Sequence, residues 1–299
     1  MIDADDTLNY AKDFDAVKFK EHLDKDFYVV ELRLGGVRFW RTQILSNRAE
    51  FAYKGVLHEF VAGPRSASAS AVAPGLWIKA SVEGARSRNI DKYSDDAKLL
   101  EKALETETDE FIRARYLFYL GQSWMNAGEK EKALQAFSRR TELGAFRQEV
   151  SLSLYYAAQM KDALGFPETE VIGAFLKAYE ADPARAEPLH GAMDYCRRHH
   201  KPNQAYLIGK HATTMPQPKG SLFVESWIYE FSLLEEFSVA AYRSGHYKEC
   251  LDAIDKLLAD GLIPKEAIPR LRENARAAAE KLNAGTRPAQ AVVATAATA

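Results

Sequence analysis

The sequence predicts an α+β chain that is mainly helical, with a β-rich N-terminal piece followed by a long stack of paired α-helices. Runs of β-branched and aromatic residues dominate the first 85 positions. Between about residues 94 and 284, apolar residues recur every three or four positions, which is the period of an amphipathic helix. Residues 285–299 are largely alanine, valine and threonine without such a period, and this predicts a disordered tail.

Composition narrows the class of protein. The 299 residues are 47% apolar and 27% charged, which is typical of a soluble globular protein. A formal net charge of −2 argues against a nucleic-acid partner, because phosphate contacts require a basic surface. Two distant cysteines do not form a disulfide framework, and they favour a reducing compartment. Without a signal peptide or a membrane-length apolar run, the predicted location is the cytoplasm.

The N-terminal piece reads as a set of short strands. Two strongly β-prone runs, 27–34 and 37–45, flank a Gly-Gly pair and predict a β-hairpin. The segments that follow predict a short strand at 52–60, a flexible loop at 63–75 and another strand at 76–82.

The first helix pair shows the repeat pattern most fully. Helices are predicted over 111–126 and 129–143, with a break at Gly128. The residues predicted to face inward are Leu117, Leu120, Gly121, Trp124, Ala133 and Phe137. A helix, a glycine turn and a second helix of similar length form one repeat of the tetratricopeptide type. Arg140 departs from that pattern, which usually has a small residue there, and weaker copies suggest about four repeats within 94–284.

Two polar clusters in the N-terminal piece are candidates for chemistry. Asp3 and Asp5 are two apart, so both carboxylates can reach one hard cation such as Mg²⁺ or Mn²⁺. The alternative is that Asp5 or Asp6 caps a helix beginning at Thr7.

The second cluster is His58 with Glu59, at the end of a predicted strand. Histidine can ligate a metal, and glutamate can act as a general base. The alternative is an ordinary polar pair at a strand end.

Six short segments, taken in order, resemble bacterial family 2 glycosyltransferases that have C-terminal tetratricopeptide repeats. They are 3–8, 53–59, 84–87, 92–101, 115–123 and 183–189. On this resemblance, residues 1–90 correspond to the C-terminal part of a catalytic domain, and residues 94–284 to the repeats.

The resemblance implies a GT-A fold, in which a nucleotide-sugar donor binds at one edge of a mostly parallel sheet. It implies that Asp3, Asp5 and His58 hold Mn²⁺ or Mg²⁺ on the donor diphosphate, where the cation stabilises the leaving group. Glu59 becomes the candidate base for the hydroxyl of an unknown acceptor.

The resemblance also places Arg86 and Arg88 near the diphosphate. The alternative for these arginines is a solvated loop. In the family, the aspartate motif follows strands that bind the nucleotide base, whereas here it begins at residue 3. We therefore expect either that the sequence starts at an internal methionine or that the product is truncated.

The sequence supports two alternative functions. One is a glycosyltransferase, or its truncated remnant. The other is a non-catalytic helical-repeat scaffold that binds a peptide or protein in the groove of its repeats.

Overall fold

The computed structural model describes residue 2 and residues 5–34, 37–64, 71–81, 89–144 and 146–286. It confirms a mainly helical chain with a small N-terminal sheet. The chain divides into two compact units, which are described separately below. The first unit comprises residues 1–188 and 217–226, and the second comprises residues 189–216 and 227–299.

The first unit opens with six described strands and one short helix. The strands are β1 (Thr7–Tyr10), β2 (Phe27–Leu34), β3 (Val37–Leu45), β4 (Ala52–Lys54), β5 (Phe60–Ala62) and β6 (Ala71–Lys79). Four of them form a sheet in the order β1-β6-β2-β3, in which β1–β6 and β2–β3 are antiparallel and β2–β6 is parallel. A separate antiparallel pair consists of β4 and β5, and a short helix, α1 (Ala16–Glu21), follows β1.

The predicted hairpin is confirmed, because β2 and β3 pair over the two expected runs. The predicted helix cap at the N-terminus is wrong. Thr7 begins a strand that pairs with β6, and the Asp6 carboxylate accepts a hydrogen bond from the Ser81 amide at 3.1 Å. The predicted loop at 63–75 is also too long, since β6 already begins at Ala71.

The sheet has a small core of its own. Tyr28, Val30 and Leu32 alternate along β2 and are buried, because successive side chains of a strand point to opposite faces. They pack with Ala73 and Ile78 of β6.

Five long helices complete the first unit. They are α2 (Lys92–Thr106), α3 (Glu110–Asn126), α4 (Lys130–Glu142), α5 (Arg147–Ala163) and α6 (Glu168–Ala181). Each packs on the next along the chain, and α3 also contacts α5. The turn between α3 and α4 contains Gly128 at φ 82°, a left-handed conformation that suits glycine.

The α3–α4 pair has the predicted inward face. Leu117, Leu120, Trp124 and Phe137 are all buried in one cluster. A Cβ atom on Gly121 would lie 2.5 Å from the Phe137 ring, so only glycine permits this close approach of α3 to the aromatic side chain of α4.

In the part that the structure describes, the regular elements of the second unit are all helical. Its elements are α7 (Glu187–Arg198), α8 (Pro202–Ala212), a π-helical turn (Ile228–Ser232), α9 (Leu233–Arg243), α10 (Tyr247–Asp260), a 3₁₀ turn (Lys265–Ala267) and α11 (Ile268–Thr286). From α8 onward, consecutive helices pack on each other. Some residues of the second unit fit the repeat pattern in the weaker copies and are buried: Ala205, Ala212, Cys250 and Ile254.

A buried histidine lies beside the π-helical turn. Nε2 of His190 is 2.8 Å from the Ser232 hydroxyl oxygen, and the imidazole packs edge-on against Trp227. Burial lowers the pKa of His190 to about 4; Asp194 opposes this shift and Arg197 adds to it. The folded chain therefore holds this imidazole in its neutral form.

We expect this histidine to make the chain less stable in mild acid. The unfolded state binds the proton near pH 6.5, whereas the folded state resists it down to about pH 4, so stability falls as the pH drops through this window. The free energy of unfolding should decrease by about 2 kcal/mol from this group between pH 7 and pH 5. Urea titrations at the two pH values should show this loss diminished in His190→Gln and retained in His211→Gln. Equal losses in wild type and His190→Gln would contradict the assignment.

Among the residues that the structure describes, no helix is both long enough and apolar enough to cross a membrane.

Candidate functional site

The sequence-predicted site residues do not meet in one cleft among the described positions. Asp3, Arg86 and Arg88 lie outside the described residues. Asp5 is exposed in a turn before β1, and Glu59 is exposed just before β5. Within the described ranges, no group of three or more His, Cys, Asp or Glu side chains could hold a metal ion. The Mn²⁺ or Mg²⁺ site remains a prediction, because Asp3 is not described.

His58 contacts helix α3. Its ring stacks on Tyr119 with the centroids 3.8 Å apart, and its carbonyl accepts a hydrogen bond from the Arg115 guanidinium at 2.8 Å. Its φ of 51° is in the left-handed region, which non-glycine residues adopt rarely. These contacts give His58 a structural role in the β4–β5 loop.

The same loop joins the helical core. Leu57 is buried in the cluster formed by α2, α3 and α4, and the Val56 amide donates to the Tyr116 hydroxyl at 3.1 Å. The N-terminal piece thus shares a core with the first helices. Because each repeat contacts mainly its neighbours, the sequence predicts that residues 94–284 fold independently of the N-terminal piece. Such folding would require these helices to tolerate the loss of Leu57.

Arg140, which stands where the repeat pattern usually has a small residue, is completely buried. Its guanidinium binds the Glu149 carboxylate at 3.1 and 3.2 Å and donates to the Gly144 carbonyl at 2.8 Å. Arg115 approaches the other Glu149 oxygen at 3.6 Å. A large cation fits where a small residue is usual because α5 supplies a buried counter-charge.

A polypeptide segment of the chain lies over helices α3 and α5. We define the α3–α5 face as Phe118 of α3, three residues of α5 and Arg185 of the connection between α6 and α7; the α5 residues are Gln148, Tyr155 and Tyr156. Residues 217–226 are called the inner segment. Within the described chain the inner segment contains no strand, and it is separated by almost thirty residues from the rest of its unit.

The face binds the main chain of the inner segment. The Arg185 guanidinium donates to two successive carbonyls, those of Leu222 at 2.7 Å and Phe223 at 3.3 Å. The Leu222 amide in turn donates to the Gln148 side-chain oxygen at 2.8 Å. Glu187 pairs with the same guanidinium at 2.6 Å and fixes its orientation. Contacts of this kind recognise a backbone whatever its sequence.

Two side chains of the inner segment also contact the α3–α5 face. The Phe223 ring stacks on Phe118 with the centroids 6.2 Å apart. Two residues further on, the Glu225 carboxylate accepts a hydrogen bond from the Tyr155 hydroxyl at 3.1 Å. The inner segment thus places an aromatic ring on Phe118 and, two residues later, a carboxylate beside Tyr155.

The tyrosines of the face remain neutral donors. Burial raises the pKa of Tyr155 well above its usual value, and the nearby Glu225 raises it further. Burial likewise raises the pKa of Tyr156 to about 12. A neutral phenol can donate a hydrogen bond to a carboxylate, whereas a phenolate would repel it.

Sequence reasoning did not identify this face. Phe118, Tyr155 and Tyr156 appear in the sequence only as aromatic residues in amphipathic helices, where a place in the core is the usual outcome. The one signal was the Leu-Phe-Val-Glu run in a long connection between helices, because long loops within compact domains are often functional.

Comparisons with known proteins give structural matches only. No family model matches the chain, and no curated protein matches it. The crystal structure of MamA is 12% identical over 57% of this chain and 89% of that chain, with a TM-score of 0.46. A protein of Podosopora anserina, described as a putative kinesin light chain with nearly identical TPR-like repeats, is 12% identical over 57% and 87%, with a TM-score of 0.43. TTC0263, a thermophilic TPR protein of Thermus thermophilus, is 16% identical over 64% and 92%, with a TM-score of 0.37.

The expectation that the chain is a glycosyltransferase is wrong. Within the described residues, two of the three strand pairings of the four-stranded sheet are antiparallel, whereas the resemblance implied a mostly parallel sheet. Paired aspartates and a His-Glu pair are common polar clusters, so they do not by themselves identify a glycosyltransferase.

Proposed function

We propose that the chain is a helical-repeat binding module whose α3–α5 face binds an extended segment of a protein partner. One observation supports this most strongly: the face already accommodates a piece of polypeptide, the inner segment, through both its backbone and its side chains. Surfaces of paired-helix repeats commonly serve such binding. The cytoplasmic location that composition predicts stays a prediction.

The chemistry of the face suits a peptide well. Arg185 and Gln148 supply one set of donors and one acceptor for a passing backbone, so they fix its direction. Phe118 and Tyr156 supply aromatic surface, which contributes much of the binding energy in protein interfaces. Tyr155 then selects a carboxylate at one position.

A labelled peptide tests the proposal. Its sequence is that of the inner segment, Gln-Pro-Lys-Gly-Ser-Leu-Phe-Val-Glu-Ser, and it carries a fluorophore at its N-terminus. The receptor is the full chain with Phe223→Ala, which weakens the competing inner segment without changing the face. We expect saturable binding by fluorescence anisotropy, because the altered segment has lost its stacking on Phe118 whereas the peptide can make that contact in addition to all the others.

Matched variants identify the site of binding. Tyr155→Phe in the same background should weaken the peptide about tenfold or more, since a hydrogen bond to a charged group is lost while the ring is kept. Tyr179→Phe, on a different helix, should leave binding unchanged. If the folded Phe223→Ala chain fails to bind the peptide at all, or Tyr155→Phe has no effect, the proposal is wrong.

A further inference from the structure

The inner segment is less buried than the surface beneath it. None of its ten residues is fully buried, whereas Phe118, Tyr155 and Arg185 under it are almost completely buried. Its two ends are joined by a hydrogen bond between the Gln217 and Ser226 side chains at 2.9 Å. It is therefore a loop closed at its ends, and its last residue, Ser226, begins the helical turn that continues into the π-helical turn.

The inner segment also stores backbone strain at its central aromatic residue. Phe223 has a φ of 47°, in the left-handed region that bulky side chains avoid. Such strain persists only where the surroundings hold it, and it is concentrated at switch regions and ligand clamps. Here the stacking on Phe118 and the hydrogen bond from Arg185 to the Phe223 carbonyl hold the residue in this conformation.

We infer that the inner segment is a built-in competitor, so that the chain regulates its own groove. This inference rests on the proposed function. In the closed state, residues 217–226 cover the α3–α5 face and block partners. In the open state, the same donors and aromatic rings are available to an extended partner segment. A partner's apparent affinity is then reduced by the fraction of chains that are closed.

The inner segment also indicates the chemistry of the partner that displaces it. That partner presents a backbone with two successive carbonyls for Arg185 and an amide for Gln148. It places an aromatic side chain on Phe118 and a carboxylate two residues later for Tyr155. A partner that adopts this backbone without strain binds more tightly than the inner segment does.

The first test compares receptors with intact and weakened inner segments. The labelled inner-segment peptide should bind wild type at least tenfold more weakly than Phe223→Ala, because the intact segment competes for the same face. Glu225→Gln is a second, milder variant and should give an intermediate affinity. Ser221→Ala, within the same segment but without a described contact to the face, should behave like wild type.

The second test measures opening directly by hydrogen exchange. The Leu222 amide, which donates to Gln148, should exchange at least a hundredfold faster than the Phe137 amide in α4, since the segment opens locally and the helix only on unfolding. Adding unlabelled peptide should accelerate exchange at Leu222 further.

The possible results separate the two proposals. Equal peptide affinity in wild type and Phe223→Ala would overturn self-competition and leave the binding function standing. Equal exchange rates at Leu222 and Phe137 would also overturn it, because the segment would then be a fixed part of the core. Absence of binding in every variant would instead refute the proposed function.

Discussion

Phe137→Ala is expected to lower the free energy of unfolding by about 3–5 kcal/mol, the range for truncating a buried aromatic side chain. Phe137 is fully buried between α3 and α4, and its ring contacts the space that Gly121 leaves open. It also packs on Tyr156 of α5, with ring centroids 5.3 Å apart. The truncation therefore leaves a cavity at the junction of three helices, which cannot collapse without moving their backbones.

Chemical denaturation monitored by circular dichroism measures this loss. Phe146→Ala is the matched control, because that ring is 44% exposed and its removal should cost well under about 1 kcal/mol. A loss below about 1 kcal/mol for Phe137→Ala would show that the helix packing described here is incorrect.

Arg140→Ala is expected to destabilise the chain by a similar amount, about 3–5 kcal/mol, because it removes one partner of a buried ion pair. Among the described ion pairs, Glu149 would keep the longer one with Arg115, at 3.6 Å. The carbonyl of Gly144 would also lose its donor. The cost arises from desolvated groups left without partners rather than from the loss of attraction alone.

Two further variants test that explanation. Arg139→Ala removes the same charge from an exposed neighbouring position, and its effect should stay within about 0.5 kcal/mol. The double variant Arg140→Met with Glu149→Leu should recover most of the lost stability, since apolar residues of similar volume can replace a buried ion pair. If the double variant is as unstable as Arg140→Ala, loss of packing rather than unpaired charge causes the effect.

The helical part of the fold could be predicted from the sequence because its signals are local. The spacing of Leu117, Leu120 and Trp124 identifies one face of a helix, and Gly128 marks its end. The hairpin was predictable for the same reason, as β-prone runs flank a glycine pair. The strand β1 was missed because it is only four residues long and follows a cluster of aspartates, and aspartate is also a preferred N-cap residue of helices.

The candidate site could not be predicted because it depends on contacts between distant positions. Arg185 and Leu222 are 37 residues apart, and Tyr155 and Glu225 are 70 apart. No spacing rule relates such pairs in a single sequence. One partner of the buried Arg140–Glu149 pair could be identified from the sequence, because an arginine stands where the repeat pattern usually has a small residue. Its partner Glu149 on α5 could not, because no sequence pattern marks that glutamate.

The surroundings of His58 could not be predicted from its local sequence. The resemblance implied a position beside a diphosphate, and the structure stacks the imidazole on Tyr119. The residues around it, Val56 and Leu57, explain that placement, because one donates a hydrogen bond to the helices and the other is buried among them. The loop between β4 and β5 thus attaches this strand pair to the helical core.

Photo-crosslinking is the most direct test of our proposal that the α3–α5 face binds polypeptide. The inner-segment peptide is synthesised with benzoylphenylalanine at the position of Phe223 and is irradiated with the full Phe223→Ala chain. Mass spectrometry of the digest then locates the attachment. We expect crosslinks in α3 near Phe118 and in α5 near Tyr156, abolished by excess unlabelled peptide. Crosslinks confined to the N-terminal sheet or to α8–α11 would contradict it.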